Sequence, residues 1–341
     1  MWQVKNQTPY AVKGSWIRNW QGEEVWTTVL KATWDIQPDG ATILSTAQSP
    51  VNTGPVFLDD GRTLLYDTDF GPAKTATDIV LNGHAHAPDG KRVSVLPVGL
   101  NVGNITRLAR VYGERIWDGK QYSHPAPFSK MPLSYNKMNR GSYFPACMSD
   151  FNPVGVSVEA VPETGISALP NIEFYGDNLT PGFGALPRQW PGRSQFAGTY
   201  DENWQRNRAP LLPEDLDERH WQCAPPAQYA GGMLKGGEVV RLGNLTPHGY
   251  GRNGLLIFAL PRIVPAFRTQ FYDDSVRFHR AKLHTVIIEP DFPRVSLVWH
   301  STLRCHHLVN QLESTTVSEK RRLFIRTKSL PLRFPEWEAL L

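Results

Sequence analysis

From Glu24 to Ile36 the chain alternates: Trp26, Thr28, Leu30, Ala32, Trp34 and Ile36 fall at every second position. That is the period of a strand, whose successive side chains point to opposite faces. Pro38-Asp39-Gly40 follows, a turn in which Pro presets its φ and Gly accepts positive φ. The signal recurs at Pro88-Asp89-Gly90, with relatives at Asp60-Gly61 and Asp118-Gly119. Strand-like runs lie between them, at Ile79 to Ala87, Val93 to Val102 and Ile105 to Tyr112. The first third therefore reads as antiparallel hairpins.

The pattern changes between residues 123 and 237, where prolines recur from Pro125 to Pro226 and few strands are expected. Two short helices are predicted there. One spans about Asp201 to Arg208 with Thr199 as its cap, and the other about Pro213 to Trp221, with Pro at its start and acids suited to a helix N-terminus. From Glu238 the strand pattern returns, at Leu255 to Leu260, Leu283 to Glu289, Val295 to Leu303 and Leu323 to Arg326. The expectation is one domain over 1–341: a strand-rich part at 1–122, a loop-rich insert with short helices at 123–237, and a second strand-rich part at 238–341. The fold class is mainly β, an antiparallel sandwich or a barrel-like closure.

Composition narrows this little. Gly and Pro number 28 each, favouring turns over long helices, and 36 basic against 32 acidic residues leave a net charge of +4. That balance does not single out nucleic acid as a partner. No apolar run approaches the ~20 residues of a membrane span, and the start lacks a signal-peptide pattern, so a cytoplasmic protein without membrane insertion is expected. Cys147, Cys223 and Cys305 are far apart and odd in number, which points to reduced thiols.

The candidate chemistry is sparse. Gly249-Tyr250-Gly251-Arg252-Asn253-Gly254 has the spacing of a dinucleotide loop, but apolar residues follow it as they follow a loop entering a strand, not as in a helix. His84 and His86 share one strand face, and Cys305-His306-His307 could add ligands, but no further ligand stands at a recognised zinc interval. Neither a nucleophile elbow nor a P-loop occurs. The reading is a non-enzyme without metal or cofactor; the enzymatic alternative gathers a site around His84, His86 and Asp78. Two surfaces carry the Arg and aromatic side chains common in interfaces. One is the Thr199–Gln228 segment, with Tyr200, Trp204, Arg206, Arg208 and Trp221. The other is the basic C-terminal stretch, with Arg322 and Arg326, followed by Phe334, Trp337, Leu340 and Leu341 at helix-like spacing.

Blocks along nearly the whole chain resemble the bacterial family of domain of unknown function 2169. They include Asn6-Gln7-Thr8-Pro9-Tyr10, Lys31-Ala32-Thr33-Trp34-Asp35-Ile36, the run Lys74 to Ala85, and Val111-Tyr112-Gly113-Glu114-Arg115-Ile116-Trp117. Ala197-Gly198-Thr199-Tyr200-Asp201-Glu202-Asn203-Trp204, Arg208 to Asp217 and Ala224-Pro225-Pro226-Ala227-Gln228 are the most specific. The family tends to have a paired glycine after Tyr135; here Arg140-Gly141 stands instead. The resemblance implies an adaptor or chaperone of a bacterial type VI secretion machine. Such an adaptor binds a secreted effector and seats it on the spike, at the valine-glycine repeat protein or the PAAR tip. A structural accessory subunit of the same apparatus is the other non-enzymatic reading.

Overall fold

The computed structural model of the chain describes residues 2–19, 21–140, 151–156, 165–175, 181–229, 232–305 and 310–320. Two sheets pack face to face. The first runs in the order Ala11–Arg18, Glu24–Ile36, Arg294–Arg304, Lys282–Glu289 and Asp78–Leu81, with Thr42–Leu44 also paired to Glu24–Ile36. The second runs Ile172–Phe174, Ile105–Tyr112, Val95–Val102, Val239–Gly243 and Leu255–Ala259. Leu30, Trp34, Leu297 and Ile288 from the first sheet and Val98, Leu100, Leu242 and Phe258 from the second share one apolar core. A third sheet, Gln3–Asn6, Leu312–Glu319, Pro265–Phe271 and Val276–His279, adds Phe267 and Val317 to it. The pairing is mainly antiparallel, and among the described residues no sheet closes into a barrel, which leaves the sandwich.

The Glu24–Ile36 strand is rich in β-branched and aromatic residues, which suit a pleated surface. Its turn forms as read: Gly40 N donates to Gln37 O at 2.9 Å, and Asp39 Oδ1 accepts from Ala41 N at 2.9 Å. Gly40 sits at φ +88°, and a Cβ there would collide with the carbonyl of Ile257, so this turn is tight against the second sheet.

Three expectations need correction. The run Ile79 to Ala87 is not one strand. Asp78–Leu81 joins the first sheet, parallel to Lys282–Glu289, while His84–His86 pairs with Lys130–Pro132. The chain changes sheets at Asn82-Gly83, where Asn82 N donates to Ile288 O at 3.0 Å and Gly83 O accepts from Leu133 N at 3.1 Å. The first predicted helix exists, at Glu202–Asn207, but its cap is Asp201, whose carboxylate accepts from Trp204 N. Thr199 instead donates N–H and hydroxyl to Asp215, at 2.9 and 2.7 Å. That tie holds Asp215 outside a helix, so the second predicted helix shrinks to a 3-10 turn at Glu218–Trp221, capped by Asp217. Another α-helix among the described residues is Pro191–Ser194, begun by a proline. The predicted strand Leu323 to Arg326 and the tail beyond it lie outside the described residues.

Candidate functional site

Strand alternation gives the first sheet two unlike faces. Leu30, Ala32, Trp34, Leu297, Trp299 and Val286 point into the apolar core. The intervening positions, Thr27, Val29, Lys31, Thr33, Thr285, Ser296 and His300, are also buried, beneath the loops from Val51 to Lys74 and the segment from Phe183 to Tyr229.

Buried charge holds that cover down. Lys31 Nζ meets Asp69 Oδ2 at 3.0 Å, with both side chains about 95% buried, and the same oxygen accepts from Asn52 N at 2.7 Å. Burial pushes the Asp69 carboxyl up despite Lys31. Lys74 Nζ lies 2.6 Å from Asp78 Oδ2 and 3.1 Å from Thr285 Oγ1. Asp78 also accepts from the backbone N–H of Cys223 at 2.8 Å and of Ala224 at 3.2 Å. Burial works against charge on Lys74, yet Asp78 outweighs it and raises its pKa. Burial and the Asp78 charge push the Cys223 thiol up, which leaves it an inert, free cysteine. Asp67 is held by Arg193 Nη1 at 2.8 Å and approached by Arg188 Nη2 at 3.5 Å; against its burial, these guanidinium groups keep the carboxyl below its usual range. Arg193 is itself fully buried and donates to the carbonyls of Leu186 and His220. Beside this network His284 and His300 stack, with ring centroids 4.2 Å apart. Burial pushes His300 down to about 3, and His284 well below its usual value.

Above this cover lies an open cleft of about 590 Å³. Its walls come from the end of the edge strand at Ile17 and Arg18, from the loop bearing Pro55, Phe57 and Phe70, from Pro187 to Gln189, and from Pro210, Leu211, Leu212 and Trp221. The lining is mostly apolar, with Arg188 packed against Trp221, its guanidinium carbon 5.3 Å from the ring centre.

The residues singled out in the 199–221 segment divide by role. Trp221 lines the cleft. Trp204 Nε1 donates to Leu211 O at 2.8 Å and Arg208 Nε to Leu212 O at 2.9 Å, so both hold from behind the loop that presents the two leucines. Tyr200 is exposed, edge-on to Trp204, and Arg206 is exposed and paired with Glu202 at 2.7 Å. Neither lines the cleft. Arg322 and Arg326 lie outside the described residues.

His84 and His86 do come together, but not with Asp78. Their common partner is Asp291, with Oδ2 2.6 Å from His84 Nδ1 and Oδ1 2.7 Å from His86 Nε2, beside a pocket of about 250 Å³. Although half-buried, Asp291 is held well below the usual carboxylate range by the two imidazoles. The glycine motif at Gly249–Gly254 forms the loop into the Leu255–Ala259 strand, and no helix follows it.

Sequence reasoning passed over Lys31, Asp67, Asp69, Lys74, Arg188 and Arg193. Two signals were available: Lys74 and Asp78 stand four apart, and Lys31 is a charge in the middle of a strand rich in apolar residues. A family described as an uncharacterized protein conserved in bacteria, DUF2169, matches residues 21–300. The chain belongs to this family. The match spans the second sheet, most of the first, the charged cover and the cleft walls other than the strand end at Ile17 and Arg18. No curated protein and no solved structure matches the chain.

Proposed function

We propose that this protein is an adaptor of a bacterial type VI secretion machine, acting in the cytoplasm. It binds a secreted effector and helps load it onto the spike, at the valine-glycine repeat protein or the PAAR tip. The secretion role rests on the sequence resemblance. The observation that supports binding is the cleft, an open apolar surface with an aromatic and an Arg side by side, the usual composition of an interface anchor. Its walls are fastened by buried ion pairs, which preorganises it and lowers the ordering cost of association.

The test is affinity capture of tagged protein from its native cell, followed by mass spectrometry. Wild type is expected to retain an effector or spike protein. Leu212→Asp and Trp221→Ala are expected to lose it while keeping the wild-type circular dichroism spectrum. Retention of the same partners by both variants would remove the cleft from the reading. A second reading, acid–base catalysis, has one observation in its favour: Asp291 bridges His84 and His86 beside a pocket. A hydrolytic or isomerase activity of purified protein, lost in His84→Ala, would replace the adaptor reading.

A further inference from the structure

This inference rests on the adaptor reading and narrows what the cleft holds. The charges beneath the cleft do not balance. Lys31 is matched by Asp69, Lys74 by Asp78 and Arg193 by Asp67, at 3.0, 2.6 and 2.8 Å. Arg188 is the cation left over from that matching. It shares Asp67 with Arg193: its Nη2 makes a long 3.5 Å bond to Oδ1, while Arg193 holds Oδ2 at 2.8 Å, so one carboxylate serves two guanidinium groups. The Arg188 side chain keeps 41% of its surface exposed, while its Nε–H is buried and meets no acceptor among the described residues. Trp221 flanks it and fixes its plane. At the strand-end wall, Arg18 adds a second exposed cation, 4.0 Å from Glu24. Among the described residues lining the cleft, the only carboxylate is Asp67. Burial lowers the neighbouring His220; a backbone hydrogen bond to Arg193 opposes this, and the charges of Arg193 and Arg188 add to it against that of Asp67.

A guanidinium fork with spare donors recognises carboxylate geometry, and apolar walls on either side exclude water from the pair. We infer that the cleft binds an extended segment of the partner protein that carries an acidic side chain between apolar ones. Its carboxylate pairs with Arg188, and its apolar side chains lie against Phe70, Leu211 and Leu212.

The experiment uses the full chain and a phage-displayed library of random peptides about twelve residues long, ample to cross the cleft at about 3.3 Å per extended residue. Enriched peptides are synthesised and their affinities measured by fluorescence polarisation. The expected consensus is one Asp or Glu flanked by apolar residues. Arg188→Gln, and separately the acid-to-amide change in the peptide, should each weaken binding about tenfold or more. The two changes together should cost little beyond either alone, as for groups that meet directly. Salt should weaken the wild-type complex more than the Arg188→Gln complex. If peptides bind Arg188→Gln as tightly as wild type but fail on Leu212→Asp, the acidic anchor is wrong and the cleft reading survives. If neither substitution alters capture, or no peptide is enriched, the cleft is not a docking site and both readings of it fall. Thermal melts of each variant confirm that lost binding is not lost fold.

Discussion

The two faces of the Glu24–Ile36 sheet are both buried but are built from different physics. On one face Leu30, Ala32, Trp34, Ile288 and Leu297 pack against the second sheet, and their attraction is non-directional. On the other, Lys31, Thr285 and Asp78 meet loop residues through bonds of fixed length and partner. An apolar face tolerates small changes of shape and loses stability in proportion to what is removed. A charged buried face fails more abruptly, because removing one partner leaves the other charged and unpaired in a poor solvent for charge. In this protein the second kind of face carries the cleft, since Lys74, Asp78, Asp67 and Arg193 fasten its walls.

Conservative substitutions sharpen that contrast. Asp78→Asn keeps the shape of the side chain but strands Lys74, so urea unfolding should show a loss of about 3–5 kcal/mol. Adding Lys74→Met to Asp78→Asn should recover part of it, because no buried charge is then left over and the amide oxygen still accepts from the backbone at 223–224. Ile288→Val, which deletes one methylene on the apolar face, should cost about 0.5–1.5 kcal/mol. Equal losses for Asp78→Asn and Ile288→Val would mean that the charged face behaves as ordinary packing.

Acid should act on the charged face first. His300, pushed down to about 3 by burial, stays neutral in the folded protein and takes up a proton in the unfolded chain below about pH 6.5. The unfolded state then binds more protons, so its stabilising contribution is complete above about pH 6.5 and is lost as pH falls from there toward 3. The limiting slope is about 1.4 kcal/mol per pH unit for one such histidine. His284, lowered by burial and by His300, adds in the same direction. Asp67 loses its contribution only below about pH 4, where its unfolded carboxyl begins to protonate. Stability measured from pH 7 to 5 should therefore fall, and His300→Leu should flatten the fall. An unchanged slope in that variant would locate the acid sensitivity elsewhere.

How much of this was legible depended on range. Alternation in Trp26 to Ile36 and Val295 to Leu303 places the core strands, because the period of a strand is local. Alternation does not show what covers the other face: Lys31 is buried because Asp69 comes from a covering loop. His84 and His86 are visible as a pair, but their carboxylate, Asp291, is 205 residues beyond His86 and leaves no mark in local spacing. Helix signals at Pro213-Glu214-Asp215 are sound locally, yet Thr199 takes the Asp215 carboxylate and tertiary structure overrides them. Trp204 and Arg208 have the composition of interface anchors, but their polar groups face the backbone of the cleft wall.

The smallest predicted effect separates wall from surface within one helix. Arg206 and Arg208 are two residues apart and equally plausible as anchors from the sequence. Arg206 projects into solvent, with its side chain 74% exposed, and pairs with Glu202 one helical turn back. An exposed pair at that spacing contributes about 0.3–0.5 kcal/mol, and salt screens even that. Arg208 is partly covered, and its Nε–H holds the Leu212 carbonyl at 2.9 Å, so its removal loosens the loop that presents Leu211 and Leu212 to the cleft. Arg208→Ala should cost about 1–2 kcal/mol and weaken partner capture, because a charge-assisted bond is lost with the loop geometry it sets. Arg206→Ala should shift unfolding by no more than about 0.5 kcal/mol and leave capture unchanged. Parallel urea titrations and pull-downs of the two variants check this. If Arg206→Ala abolishes capture on an intact fold, the partner sits on the outer face of the helix rather than in the cleft, and the charged cover beneath the cleft is then only structural.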